Sequence, residues 1–393
     1  MHLAYVVNSF PALSETFVAR EVEALRDRGM RVDVYTFTPP SEADLATMSE
    51  SMRALHREAV PIGAEAPGLS DLPRLPVALR SNARFDHASR PLGRLGKAFA
   101  LARRLRQSPP DRLHAHWPYA TMVTHLASVL TGVPYSVSIH AHEVAHENGH
   151  FEEAFGRLDF ASFCNGAAME YLLGRLPASA RDKSHLVYHG VETDRFEPLP
   201  MPAYATPFRV VSAGRLTKTK GFDRLVRAVA LARQRGADVE LAILGRGDEE
   251  ATIRSVAAET GVSEVVDLPG WVSHDEVPTW IGRSHVFALP ASVGFHDGLP
   301  NVVLEAMASG RPVVLSPLPA ASEAVTPGVE GEILQSEDDV DGLADVLVAL
   351  AADPERVAEM GRAARARVVR DHDAGRQVEC LQSLHTREAQ AGA

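Results

Sequence analysis

Asp297 and Glu305 stand eight positions apart in DGLPNVVLEAMASGRP, residues 297–312. The stretch reads as a loop turning into a helix. Gly298 lets the backbone approach a ligand closely. Pro300 suits a first helical turn, where no N–H is needed. Val302, Val303, Leu304, Ala306 and Met307 then bury the helix against a sheet. Unbonded N–H groups at such a helix start favour an anion such as a diphosphate. Glu305, a turn or more inside, is placed to accept hydrogen bonds from a vicinal diol, as a ribose offers. The layout predicts a site for a nucleotide sugar. The plainer alternative is a short buried helix with a proline start and two solvated acids.

A second segment supplies the opposite charge. In GRLTKTKGFDRL, residues 214–225, Arg215 follows a strand and Lys220 precedes a helix, so both cations can reach one phosphate group. A unit charge pair about 4 Å apart is worth about 4 kcal/mol at an effective dielectric near 20, against ~2 at most for a helix terminus. The two cations should therefore dominate affinity for a diphosphate, with the helix end orienting it. Gly245 and Gly247 in LAILGRGDEE also follow a strand and open a helix. The third glycine of the dinucleotide fingerprint is missing, which predicts a tight turn at Gly245 beside the nucleotide instead.

HAHEVAHENGH, residues 140–150, holds His142, Glu143 and His146 in the HExxH spacing of zinc proteases. That chemistry needs one helix carrying both histidines, Glu as general base and a third ligand downstream. The longer protease pattern would place histidine at 152, where Glu152 stands. A zinc hydrolase is the alternative from another class. His140 ends a strand, where a neutral imidazole can hydrogen-bond a substrate hydroxyl or assist a proton's departure. His114 and His116 alternate on one strand beside Trp117 and read as structural lining. The DVD at residues 339–341 opens a helix and reads as capping.

The elements that carry these residues alternate along the chain. Strands are predicted near Leu3–Val7, Arg31–Phe37, Leu113–His116, Tyr135–Ile139, Phe160–Cys164 and His185–Tyr188, and again near Phe208–Ala213, Val239–Leu244, Val265–Leu268, His285–Leu289 and Pro312–Leu315, with helices between most of them. This is the signature of an α/β chain with parallel, doubly wound sheets. FEPLPMPAYATP, residues 196–207, is proline-rich and reads as a linker. The expected domains are 1–196 and 208–370, with a helical tail over 371–393 that crosses back to the first. Two such domains leave a cleft, and ligands bind beyond the carboxyl ends of the strands.

At 393 residues the chain has room for two domains, each with a core of its own. No apolar run approaches the ~20 residues of a membrane span, and the first residues read as a strand, not a signal peptide. Two cysteines are too few for a disulfide framework, so a cytoplasmic setting is expected. A net charge of −11 argues against nucleic acid as partner. Yet residues 72–112 hold ten basic side chains against Asp86 and Asp111, with Leu95, Ala98, Phe99, Leu101, Ala102 and Leu105 at helical spacing. Such a segment reads as a basic amphipathic contact with an anionic membrane and, compatibly, as a surface helix packed on its own sheet.

Taken together, these residues resemble the retaining glycosyltransferases of the large family four, which have the two-domain GT-B fold of facing Rossmann-like domains. The resemblance covers nearly the whole chain. NSFPALSETFVAREVEAL, residues 8–25, is similar to the acceptor loop and first helix of members that build exopolysaccharide. HAHWPYATMVTHLASVLTGVPYSVSIHAHE, VYHGVETDRF, GRLTKTKG and the 297–305 segment continue the pattern. By that resemblance Glu305 holds the ribose, and Arg215 with Lys220 the diphosphate. Asp297 and the amides of Gly298, Leu299, Pro300 and Asn301 contact the donor sugar. His140 sits near the reacting centre, and Ser14, Glu15 and Thr16 meet the acceptor.

The implied reaction moves a hexose from a nucleotide-diphosphate sugar to a hydroxyl of a lipid-linked or polysaccharide acceptor, with retention and without a metal or other cofactor. A nucleotide-sugar isomerase on the same fold is a further alternative. Two positions depart from the pattern. Asp297 replaces the first glutamate of the usual E-x7-E, and Glu143 stands where many members carry aspartate.

Overall fold

The computed structural model describes residues 1–12, 15–85, 91–144, 150–203, 207–294 and 298–391. It divides into two compact units, Met1–Tyr188 with Gly375–Ala393, and His189–Ala374. In the first unit the strands are β1 His2–Ser9, β2 Arg31–Thr38, β3 Val60–Pro61, β4 Arg112–His116, β5 Tyr135–Ile139, β6 Ala161–Phe163 and β7 Ser184–Leu186. They form one parallel sheet in the order β3-β2-β1-β4-β5-β6-β7. Strand β1 is buried on both faces, as expected where helices cover a parallel sheet. Leu3, Tyr5 and Val7 pack with Val18, Val22 and Leu25 of the helix Thr16–Asp27.

The second unit holds β8 Phe208–Ala213, β9 Val239–Leu244, β10 Val266–Gly270, β11 Val286–Leu289, β12 Val313–Leu315 and β13 Gly331–Ile333. Their order is β10-β9-β8-β11-β12-β13, again all parallel. Val210, Leu241, Ile243 and Phe287 meet Leu225 and Val229 of the helix Phe222–Gln234, and Val303 and Met307 of the helix Asn301–Ala308. In both sheets the strand order reverses beside the first strand, between β1 and β4 and between β8 and β11. Loops leaving the carboxyl ends there diverge to opposite faces and open a crevice for ligands.

The α/β expectation and the Rossmann-like build of both units hold. The edge strands β3 and β13 escaped prediction because two or three residues carry no period. Residues 196–203 of the proline-rich segment belong to the second unit. Phe196 is fully buried in its core, and the buried Arg311 donates to the carbonyls of Leu199 and Pro200 at 3.0 and 3.1 Å. In the first unit the C-terminal helix Ala374–Ala391 seats Leu381 and Leu384 on Phe160 and Val187.

The apolar side of the basic stretch packs inward. On the helix Pro91–Gln107, Leu95, Ala98, Phe99, Leu101, Ala102 and Leu105 are all buried, so its apolar side faces the interior. Arg94 and Arg112 are buried with them, Arg94 on the side-chain oxygen of Asn82 at 3.1 Å and Arg112 on Asp159 at 2.9 Å. Arg103 pairs with Glu65, and Arg106 with Asp71. Among the described residues no helix is long and apolar enough to cross a membrane.

Candidate functional sites at the two strand-order reversals

In the second unit, β8 ends at Ala213 and the chain turns through Gly214 to Arg215. Arg215 is exposed, while the stem of Lys220, at the end of the single turn Lys218–Lys220, runs alongside Gly214. Gly221 then takes φ +67°, and a Cβ there would stand 2.1 Å from the Pro290 carbonyl oxygen. The loops leaving β8 and β11 can touch only because this residue has no side chain. Ser292 N–H donates to the Thr219 carbonyl at 2.7 Å, and Arg224 holds the Pro290 carbonyl at 2.8 Å. At Gly245, with φ +138°, a Cβ would meet the Gly214 carbonyl oxygen at 1.9 Å. Gly245 thus lets the exits of β8 and β9 close on each other, the tight turn predicted for it.

Beyond β11 the chain returns through Gly298 and Leu299, both half-buried, to the helix Asn301–Ala308. Pro300 takes the N-cap position, one residue before the first turn it was expected to occupy, and its carbonyl accepts from Val303 N–H at 2.9 Å. Asp297 lies outside the described residues. Glu305, buried in the second turn, brings Oε1 to 3.2 Å from Nε2 of His274 in the loop after β10. Arg215, Lys220, the Asn301 helix start and Glu305 therefore all belong to elements at the carboxyl edge of one sheet. Asp339 caps its helix through Gly342 N–H at 2.9 Å, as expected.

In the first unit His140 follows β5 and is 3% exposed. Its Nε2 lies 3.2 Å from His116 Nδ1, and its ring stacks on Trp117 with centroids 4.0 Å apart. Trp117 has φ +75°, which strains a bulky residue and is kept only where surroundings enforce it. Its indole N–H donates to Glu15 at 2.9 Å. Burial raises the Glu15 carboxyl pKa, and that hydrogen bond partly offsets the shift. Thr16 opens the helix Thr16–Asp27, whereas Ser14 lies outside the described residues.

Glu143 accepts the backbone N–H of His140 at 3.0 Å, and burial pushes its carboxyl well above the ordinary range. A helix is described over Ala141–Val144, and His146 lies outside the described residues. His114, His116 and Glu21 bring ligand-type atoms within 4.8 Å of one another. Both ring nitrogens of His114, however, lie on the hydroxyls of Ser136 and Ser138, at 2.8 and 3.0 Å.

Sequence reasoning missed Glu21, Tyr5, Trp117 and His274. Phe17 and Glu21 stand four apart on one helix and so share a face. Phe17 meets the His140 ring at 5.2 Å and Glu21 meets His116 at 3.4 Å, so that spacing was a usable signal. Nothing local links His274 to Glu305, 31 residues away.

Two family descriptions match the chain: "Glycosyl transferase 4-like domain" over residues 14–201 and "Glycosyl transferases group 1" over residues 199–367. The amylovoran biosynthesis glycosyltransferase AmsK of Erwinia amylovora is 32% identical over 190 residues, 48% of this chain and 46% of that one. A GDP-mannose-dependent alpha-(1-6)-phosphatidylinositol monomannoside mannosyltransferase of Mycolicibacterium smegmatis is 37% identical over 203 residues, 48% of this chain and 53% of its own. The chain thus spans about half the length of these curated relatives. Anabaena Alr3699/HepE, solved in complex with UDP, superposes with TM-score 0.76 at 17% identity, covering 98% of this chain and all of that one. The chain belongs to the group 1 glycosyltransferases of family-four type, built on the GT-B fold.

Proposed function

We propose that this chain transfers a hexose from a nucleotide-diphosphate sugar to a hydroxyl of a lipid-linked or polysaccharide acceptor, with retention at the anomeric carbon and without a metal. The observation that carries this reading is the carboxyl edge of the second sheet. There two cations from the β8 loop, a helix start and a buried carboxylate belong to neighbouring elements. Arg215 and Lys220 hold the diphosphate, the amides of Gly298, Leu299 and Asn301 hold the donor sugar with Asp297, and Glu305 accepts from the ribose hydroxyls. As the glycosidic C–O bond breaks, positive charge develops at the anomeric carbon and negative charge on the leaving phosphate. Fixed cations stabilise the latter without reorganisation. The acceptor hydroxyl bonds to the anomeric carbon on the face the phosphate leaves, and its proton passes to the departing phosphate oxygen. In the first unit, His140 and the Glu15–Thr16 segment serve the acceptor side.

The names of relatives and neighbours point to both guanosine and uridine donors. Incubating the protein with UDP-, GDP- and ADP-hexoses in the presence of a chelator, with polyprenyl-phosphate-linked and oligosaccharide acceptors, tests the proposal. An α-linked product from one α-configured donor is expected. A β-linked product contradicts retention, and activity that appears only on adding a divalent cation contradicts metal independence.

A setting at the inner face of the membrane is part of the same reading. Leu69 and Leu92, 87% and 82% exposed, together with Leu72, Val77 and Leu79, are the apolar side chains offered to such a surface, with Arg74 and Arg80 exposed nearby in sequence.

A further inference from the structure

His140 is one end of a buried polar chain whose other members no reading of the donor site uses. Its Nε2 lies 3.2 Å from Nδ1 of His116. Nε2 of His116 lies 3.4 Å from Oε1 of Glu21, and the Tyr5 hydroxyl is 2.5 Å from the same oxygen. Tyr5, His116 and His140 are all at least 97% buried. We propose that Glu21 and His116 are positioning residues that fix His140 as the Nε2–H tautomer, leaving the lone pair of its ring on Nδ1.

The direction of the chain follows from donor and acceptor chemistry. Burial first, and then the nearby Glu21 charge, raises the Tyr5 phenol well above its ordinary value. Tyr5 therefore keeps its proton and donates to Glu21. Nε2 of His116 has no hydrogen-bond partner among the described residues, but a carboxylate oxygen 3.4 Å away favours a proton on that nitrogen over a lone pair. With its proton on Nε2, His116 offers a lone pair at Nδ1, and His140 must answer with Nε2–H. The reversed chain would aim a lone pair of His116 at the Glu21 carboxylate in a site that admits little water. Which nitrogen of a histidine carries the proton is set by such a partner. The stacked Trp117 ring and Phe17 restrict rotation of the His140 ring, so the tautomer and the ring orientation are fixed together.

The inference rests on reading His140 as an acceptor-side group, yet its test needs neither substrate nor turnover. Long-range proton–nitrogen correlation spectra of the full chain labelled at histidine, with His140 assigned from a His140→Gln variant, report the protonated nitrogen directly. The expected result is Nε2–H in the wild-type protein, and a mixture of both tautomers in Glu21→Gln, where shape is kept and charge is lost. A wild-type proton on Nδ1, or an unchanged pure Nε2–H form in Glu21→Gln, overturns the proposal. Should Glu21→Gln fail to fold, the wild-type spectrum decides alone. A contradictory spectrum leaves the donor-site reading intact, whereas absence of any transferase product leaves the tautomer assignment intact.

Discussion

At the scale of single residues, charge and the absence of a side chain do most of the work. A phosphate within about 4 Å of Arg215 and of Lys220 gains about 4 kcal/mol from each before desolvation is counted, while a helix start contributes at most ~2. Even a third of that Coulomb gain surviving in water leaves about a tenfold change in affinity per cation. Removing either should therefore cost more than disturbing Pro300 or Asn301. Gly221 and Gly245 act through what they lack, since a Cβ at either would collide with a carbonyl oxygen of the neighbouring loop. Arg215, Lys220 and Gly245 were legible from their places: two cations bracketing a strand-to-helix turn, and a glycine closing a strand. Apart from the shared helix face of Phe17 and Glu21, the partners of His140 were hidden, because Tyr5, Glu21 and His116 come from β1, the first helix and β4, and meet only once β1 pairs with β4 and the helix packs on the sheet.

Among the elements, a pattern of periods predicted every long strand and the presence of helices between most of them, and it failed where packing decides what a periodic face is for. The 91–107 helix shows this. Its apolar positions suited a membrane as well as a protein interior, and the fold uses them inside. What remains exposed is carried by the preceding turns Leu69–Arg74 and Leu75–Arg84 and by Leu92. Partial burial of five apolar side chains in a lipid interface is worth a few kcal/mol, and each arginine near anionic headgroups adds about 1. Cosedimentation with vesicles containing phosphatidylglycerol should therefore exceed that with neutral phosphatidylcholine vesicles. It should fall severalfold in a Leu72→Ser, Leu79→Ser double variant. Equal binding to both vesicle types, or none, removes the membrane contact from the account.

For the whole molecule, the buried histidines make stability depend on pH. Burial is the leading cause that holds His114 well below its ordinary value, His125, His285 and His372 down to about 4, and His385 down to about 3. The first, second and last of these belong to the Met1–Tyr188 unit with its C-terminal helix, the other two to the second unit. In the unfolded chain each takes a proton near pH 6.5, while the native fold resists until about 4 or below. Stability contributed by neutrality is thus intact above about pH 7 and lost as pH falls through that window, at about 1.4 kcal/mol per pH unit for each fully resisting histidine. Glu15 and Glu143, whose pKa values are raised, act in the opposite sense above about 4.5. Five against two leaves a net loss on acidification. Urea midpoints should decline steadily between pH 7 and pH 5, and a midpoint that holds or rises would contradict this burial pattern.

The architecture was readable from the sequence at this scale because alternating strands and helices leave few topologies open. The short edge strands and the seating of the proline-rich segment were not, since both depend on contacts with residues distant in the chain.

The central claim is that the second unit holds a nucleoside diphosphate by Arg215, Lys220 and Glu305. Calorimetric titration of UDP, GDP and ADP into the wild-type protein and into Arg215→Ala, Lys220→Ala and Glu305→Gln tests it most directly. One nucleotide should bind, each cation variant should weaken it more than tenfold, and Glu305→Gln, which can still accept from a ribose, should weaken it less. Unchanged affinity in both cation variants, or no binding of any of the three nucleotides, would contradict the account.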